Sequence, residues 1–412
     1  MIRRGVVGDL MAALGDTPVV FIQGPRQAGK STLAQAALGE RPGQYLTLDD
    51  VAVLRAATSD PDGFVAGLSG RVVLDEVQLA PGLFRAIKAS VDRDRRPGRF
   101  LLTGSANALL VPEVAQALAG RLELITLWPF SQGEIEERLE RFVDASFERV
   151  FEPSVSREAV TWADLVDRIA RGGFPEAQGR RSGERRRAWF RSYESTVLDR
   201  DVREIANIEG RRELPRLLRL TAARTAGLLN AADLARDAAM AQSTLRRYWT
   251  LFEMTFLVNT LPAWSTNRGH RIAKAPKVHV VDSGLLCHLL GLDERALRGD
   301  ALWSGQVLES FVAGELSRQI GWSQSRPTLH HFRTHTRQEV DLVLEHPDGR
   351  VVGVEVKRSA SPSAADFRGL RHLREIAGAR FYRGVVLYLG ANVVPFGENL
   401  YAVPISALWL TA

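Results

Sequence analysis

The stretch that most restricts what this chain can fold into is TPVVFIQGPRQAGKSTLAQAAL, residues 17–38. It reads as a short apolar strand, a glycine-containing loop and a helix, in that order. The loop carries G-x-x-x-x-G-K-[ST] as Gly24, Gly29, Lys30 and Ser31, with Thr32 following. Glycines at those positions let successive backbone N–H groups curl around a phosphate. The helix beginning directly after them adds the partial positive charge of its N-terminus. Lys30 is placed to reach the β- and γ-phosphates of ATP, and the Ser31 hydroxyl to hold Mg2+.

Further strands follow at the spacing of an α/β sheet: QYLTLD (44–49), RVVLDE (71–76), RFLLTGS (99–105) and RLELITL (121–127). RVVLDE delivers Asp75 and Glu76 at its end. A Mg2+-holding aspartate and a water-activating glutamate belong there in a nucleotide hydrolase. The pair is weak evidence alone and gains its weight from the loop upstream.

This segment resembles the AAA+ superfamily, in particular the AAA_14 ATPase half of bacterial and archaeal proteins that pair such a module with a domain called DUF4143. The resemblance implies that LLTGSAN (101–107) ends in the sensor-1 region, with Ser105 or Asn107 contacting the γ-phosphate or the attacking water. It also implies that Arg121 stands where such proteins carry the arginine finger. A finger acts on a neighbouring subunit's nucleotide, so a homo-oligomeric ring is expected with it; a plain surface arginine is the equal alternative. A sensor-2 arginine belongs in the helical lid, but the lid region is too rich in arginine to single one out.

The 412 residues suffice for two to four domains, and a formal net charge of +6 permits a polyanionic partner without demanding one. Cys287 is the only cysteine, which excludes an internal disulfide and suits a reducing cytoplasm. The opening MIRRGVVGDLMAALGD meets Asp9 before any apolar region of signal-peptide length, and no run of about 18 apolar residues occurs, so no membrane partner is expected. Only five of the 54 basic residues are lysines: Lys30, Lys88, Lys274, Lys277 and Lys357. A chain that uses arginine for generic positive charge marks its lysines as places where a compact ammonium is required.

From PFSQGEIEERLERF (129–142) to about residue 225 the pattern is helical and charged. Its arginine-rich run GRRSGERRRAWFR (179–191) reads as a solvated helix face with internal ion pairs in preference to a lining for a phosphate backbone. NAADLARDAAMAQSTLRRYWTLFEMTFLV (230–258) is a helix-turn-helix: Asn230 caps a helix over 231–238, the chain breaks at Ala239–Ala241, and a second helix starts at Gln242 or Ser243. TFLVNTLPAW and KVHVVD supply a candidate β-wing. In a DNA reader Gln242, Ser243, Arg246 and Arg247 face the groove. RRYWTLFEMTFLV and KVHVVDSGLLCHLLG (277–291) resemble the start of the DUF4143 region.

Near the C-terminus, EVDLVLEHPDGR (339–350) and VVGVEVKRS (351–359) form a hairpin around a Pro-Asp-Gly turn. Centring the turn on Asp348 sets Asp341 opposite Glu355, with Cβ atoms about 4.5–5.5 Å apart on one face. Two opposed carboxylates repel, so a positive charge must lie between them, and a divalent cation is the natural candidate. Lys357, two residues on, shares that face. SGQVLESFVAGELSRQ (304–319) is an amphipathic helix that offers Glu309 to the same site. The ordered set Glu309, Asp341, Glu355 and Lys357 looks like the PD-(D/E)xK nuclease fold and is similar to archaeal Holliday-junction resolvases. That resemblance implies a metal held by Glu309, Asp341 and Glu355, beside a catalytic Lys357.

The expected architecture is therefore α/β and multidomain: an AAA+ P-loop core over 1–130, a helical lid over 131–225, a winged helix-turn-helix over 226–300 and a restriction-endonuclease-like α/β domain over 301–412. The leading functional expectation couples ATP hydrolysis, with Mg2+, to DNA remodelling and Mg2+-dependent DNA cleavage; branched DNA such as a Holliday junction is the first substrate to test. The alternative is a nucleotide-controlled switch in a defence or toxin–antitoxin-like module, its nuclease-like domain serving as a partner-binding surface.

Overall fold

Val19–Gln23 (β1) is buried along its whole length because it lies in the interior of a parallel sheet. A computed structural model describes residues 2–40, 43–105, 107, 118–156, 158–202, 213–267, 269, 271 and 274–412. Side chains alternate across β1. Val20 and Ile22 join the apolar layer of α1 (Val7–Asp16) and α2 (Lys30–Glu40), while Val19 and Phe21 join that of α3 (Gly82–Arg93). The remaining strands are β2 (Gln44–Thr47), β3 (Val72–Asp75), β4 (Phe100–Gly104) and β5 (Leu122–Thr126), each inside the stretch where the sequence places it. Their order is β2-β3-β4-β1-β5, and every pairing is parallel. Parallel strands end at one edge of the sheet, so Gly24, Asp75 and Ser105 emerge together.

The middle of the chain is helical: α4 (Trp162–Arg171), α5 (Gly183–Thr196), α6 (Glu213–Ala222), α7 (Ala231–Asp237) and α8 (Gln242–Met254). The expectation of helix over 203–212 lies outside the described residues. Asn230 caps α7 as the sequence indicates, its side chain accepting from the Ala232 and Asp233 N–H groups. Ala239, at φ 54°, turns the chain into α8. Two antiparallel strands follow, β6 (Val258–Leu261) and β7 (Lys277–Val280), then α9 (Ser283–Leu290) and the 20-residue α10 (Ala301–Ile320).

A second, mixed sheet closes the chain, with β8 (Thr328–Arg333), β9 (Glu339–Glu345), β10 (Val351–Val356), α11 (Arg368–Ala377), β11 (Phe381–Tyr388), β12 (Val394–Pro395) and β13 (Leu400–Pro404). Its order is β12-β13-β11-β10-β9-β8. Leu342, Leu344, Val352, Val354, Val385 and Leu387 face one continuous apolar cluster that also takes in α4 to α10, running from Phe142 to Trp409. Val343, Val351 and Val386 face Leu370 and Leu373 of α11. The middle helices and the C-terminal sheet thus share one core. No described helix is long and apolar enough to cross a membrane.

Candidate functional site

The loop after β1 needs its first glycine for two reasons. Gly24 adopts φ +147°, and a Cβ there would stand 2.2 Å from the Leu127 carbonyl oxygen just beyond β5. Only a residue without a side chain lets the backbone pass this close to its neighbour. Gly29 is also left-handed, at φ +97°. Lys30 folds back over the loop, its Nζ donating to the carbonyls of Gly24 (3.0 Å) and Pro25 (3.0 Å) and to Ser105 Oγ (3.1 Å).

At the end of β3, Asp75 gathers three hydroxyls. Oδ1 accepts from Ser31 Oγ at 3.0 Å and from Thr103 Oγ1, and Oδ2 accepts from Tyr45 OH at 2.7 Å. Burial, reinforced by Asp75, pushes the Tyr45 phenol up to about 12, so it stays a donor. Glu76 sits in the left-handed region at φ 58°, ψ 43°. A non-glycine residue in that conformation stores about 1–2 kcal/mol of strain. Its N–H bonds Thr103 Oγ1 (3.2 Å), and Ser105 Oγ lies 3.4 Å from Glu76 Oε2. The Ser31 hydroxyl and the Asp75 carboxylate, 3.0 Å apart, could hold Mg2+, which would there neutralise charge developing on phosphates.

Across the loop lies a cavity of about 810 Å³. One wall is Arg26, Gln27, Gly29, Lys30, Ser31, Thr32 and Glu76; the other comes from residues 175–196. Arg185, Trp189, Ser192 and Thr196 repeat at helical spacing, so α5 turns one face to the cavity, and Trp189 stacks on Tyr193 at 5.2 Å. Four cationic side chains (Arg26, Lys30, Arg180, Arg185) line the space against two carboxylates (Glu76, Glu176). A cavity so charged suits a polyphosphate. The arginine-rich run therefore divides by face. Arg186 is buried against Glu294 at 2.6 Å, as an internal pair, while Arg180 and Arg185 look toward the loop. The side of α5 that Arg185 takes could not be read from composition alone.

The other expected residues of this region lie apart from the cavity wall. Asn107 donates its N–H to the Met254 carbonyl at 2.8 Å. Arg121 grips Asp92 with two nitrogens, at 2.6 and 3.1 Å. Sequence reasoning missed Arg4. Its buried guanidinium bonds the Ala28 carbonyl inside the glycine loop (2.9 Å), the Trp128 carbonyl (2.5 Å) and Glu134 Oε1 (3.0 Å).

In the C-terminal sheet the hairpin register is the anticipated one: Val351 faces Glu345, Val352 Leu344, Gly353 Val343 and Val354 Leu342. One more step sets Glu355 against Asp341. Asp341 Oδ2 accepts the Val356 N–H at 2.9 Å, and Lys357 Nζ donates to Glu355 Oε2 at 3.0 Å. Burial, then the Asp341 charge, raises the Glu355 carboxyl well above its usual range. Glu309 joins from α10, pushed up to about 8 by burial and by Asp341.

The positive charge among these acids is one the sequence did not assign. Lys277 Nζ lies 2.7 Å from Glu309 Oε1, 2.7 Å from Glu339 Oε1 and 3.8 Å from Asp341 Oδ1, and its side chain is 1% exposed. Among the described residues no group of three or more His, Cys, Asp or Glu is arranged to hold a metal ion. Lys277 Nζ thus stands beside Glu309 and Asp341, two of the three acids expected to hold a metal. The rarity of lysine was the available signal for Lys277, as it was for Lys357.

Gln242, Ser243, Arg246 and Arg247 are all exposed on the first turns of α8. Arg247 also lies over the Tyr248 ring.

Three family models match in succession: an AAA domain over residues 16–136, the domain of unknown function DUF8612 over 163–296 and the domain of unknown function DUF4143 over 304–408. The segments at 246–258 and 277–291, whose look suggested the start of DUF4143, fall instead within DUF8612. With the loop geometry above, the N-terminal core is that of a P-loop ATPase. Two curated relatives, uncharacterized protein Mb2031c of Mycobacterium bovis and uncharacterized protein Rv2008c of Mycobacterium tuberculosis, are each 32% identical over 416 residues, covering 99% of this chain and 85% of the relative. Among solved structures, the Walker-type ATPase PABY2304 of Pyrococcus abyssi is 14% identical with a TM-score of 0.43, covering 70% of this chain and 96% of that one. The RuvB Holliday junction branch migration motor of Thermotoga maritima is 17% identical with a TM-score of 0.29, covering 62% and 89%.

Proposed function

The chain belongs to the family of the mycobacterial proteins Mb2031c and Rv2008c, and from that premise we propose that it is an ATP-driven conformational switch. In this reading ATP is bound between the glycine loop and α5, and its hydrolysis moves the helical and C-terminal body relative to the N-terminal sheet. The observation that carries it is the shared cavity, whose walls come from Gly29–Thr32 on one side and Arg180, Arg185 and Trp189 on the other. The loop N–H groups and Lys30 would hold the phosphates, Ser31 and Asp75 the Mg2+, and Glu76 would orient the attacking water. Arg180 and Arg185 would sense from the far wall whether the terminal phosphate is present. An arginine-finger role for Arg121 would require it to leave Asp92 for a neighbouring subunit of a ring. The C-terminal sheet serves in this reading as a partner-binding body.

A second reading, ATP-dependent DNA processing with cleavage at the C-terminal cluster, is favoured by two observations. The first residues of α8 are exposed between α7 and the two-stranded β6–β7 sheet, and Asp341 acts electrostatically on both Glu309 and Glu355, the latter paired with Lys357. ATP turnover of the parent and of Lys30→Ala, each with and without duplex, single-stranded and four-way DNA, tests both readings. Turnover is expected in the parent and lost in Lys30→Ala; unaltered hydrolysis in that variant rejects the ATPase assignment of the loop. DNA that raises turnover in the parent but not in Arg246→Ala/Arg247→Ala supports the second reading, as does nicking that disappears in Lys357→Ala. Indifference to all DNA rejects it.

A further inference from the structure

We infer that Lys277 is the resident cation of the C-terminal acidic cluster and that its ammonium excludes a divalent metal from it. The inference stands apart from the ATPase reading and bears on whether this sheet can cut.

Four carboxylates meet at one end of the sheet: Glu309 from α10, Glu339 and Asp341 from β9 and Glu355 from β10. Left to themselves they would repel strongly, the more so for being shielded from water. A nuclease of this shape answers with a metal. This chain answers with Lys277, which reaches carboxylates on two separate elements. Its backbone has little freedom to withdraw. Lys277 pairs with Leu261 in the β6–β7 ladder and bridges to Leu228 on its other side. The whole four-carbon stem is buried, so the ammonium has no solvated alternative position within reach.

The distances also decide against sharing. A small hard divalent ion draws carboxylate oxygens to about 2.0–2.1 Å, so one held by Glu309 together with Asp341 would have to displace Nζ, which lies 2.7 Å from the first and 3.8 Å from the second. Two adjacent cations in that space would repel. The other acids are already engaged, Glu355 by Lys357 and Asp341 by the Val356 N–H, and Glu339 has Arg333 at 3.4 Å besides. Lys277, Lys357 and Arg333 thus answer the charge of these acids with the chain's own cations.

The test uses the full chain without nucleotide, titrated with Mn2+ and followed by calorimetry and by melting temperature. The parent is expected to bind no Mn2+ at the cluster, and Asp341→Asn to leave its Mn2+ response unchanged. Lys277→Met should melt lower than the parent. It should then gain one Mn2+ site, bound about tenfold or more tighter than anything in the parent, as three freed carboxylates would provide. Added Mn2+ should recover part of the lost melting temperature, and Lys277→Met/Glu309→Gln should lose that recovery. A parent that binds Mn2+ and loses it in Asp341→Asn overturns the inference, whether or not Lys277→Met folds. So does a folded Lys277→Met that gains no metal response.

Discussion

Arg4 offers the strictest test of how the glycine loop is held. Its guanidinium is 8% exposed and ties three parts of the chain together: Glu134, the Trp128 carbonyl and the Ala28 carbonyl inside the loop. Arg4→Met removes one partner of a buried ion pair, a change that costs about 3–5 kcal/mol. The lower end applies, because Glu134 keeps the Gly5 N–H at 2.7 Å and the Ser131 N–H at 3.0 Å as donors. About 3 kcal/mol corresponds to a melting temperature lower by roughly 6–12 °C where Arg4 unfolds with a unit of about 150–250 residues. Arg4→Lys keeps a charge for Glu134 but cannot fork to two carbonyls, so roughly a third to a half of the loss is expected. Because Ala28 lies between Gly24 and Lys30, both variants should raise the KM for ATP more than they lower kcat. Thermal melting and steady-state ATPase kinetics give the two readouts. A melting temperature within 2 °C of the parent in Arg4→Met, with KM unmoved, refutes the claim that this side chain anchors the loop.

Gly24→Ala should abolish most ATP turnover and lower the melting temperature, since its Cβ would lie 2.2 Å from the Leu127 carbonyl oxygen at a φ of +147°; normal turnover in that variant would remove the steric argument. Glu140 supplies a pH dependence. Burial, then the charge of Glu315, pushes it from 4.5 up to about 8. The folded chain therefore holds a proton that the unfolded chain releases near 4.5. The stability this confers is complete below that pH and is lost as pH rises toward 8, by up to about 1.4 kcal/mol per pH unit. Glu140→Gln should shrink the fall in melting temperature between pH 5 and pH 8, and an undiminished fall would show that another group carries the slope.

The parts of this molecule that were legible in the sequence are those fixed by local chemistry. The loop from Gly24 to Ser31 announces its strand and helix because only glycine tolerates the backbone there. The hairpin register was legible because Pro347, Asp348 and Gly349 leave one short turn. There Gly349 sits at φ 92° and Asp348 Oδ1 accepts the Arg350 N–H. Asn230 announced α7 in the same way. What stayed hidden was decided by packing between distant elements. Periodicity shows that α5 has an apolar face, but not that its opposite face meets the glycine loop. Lys277 begins an unremarkable strand; that its ammonium meets Glu309, Glu339 and Asp341 follows from how β7, α10 and β9 converge. The opposed carboxylates Asp341 and Glu355 suggested a divalent cation, and the hairpin alone gave no sign that Lys277 stands beside Asp341.

The seam between the N-terminal sheet and the rest of the chain is built from charge more than a fixed contact needs. Arg318 donates to the Pro129 carbonyl at 2.9 Å and to Glu315 at 3.1 Å, and Glu315 accepts the Gln132 N–H at 2.9 Å. An apolar contact of the same area would hold as well and would tolerate sliding. Buried ion pairs that also close on backbone groups are satisfied only when both sides meet in one orientation, and each misplacement leaves a desolvated charge. The segment from Trp128 to Glu134 is gripped from the sheet side by Arg4 and from the other by α10, the same helix that carries Glu309 into the acidic cluster. A rearrangement of the glycine loop that shifts Arg4 must therefore either carry α10 with it or break this seam. That two-way choice is what a nucleotide-driven switch requires of its joint.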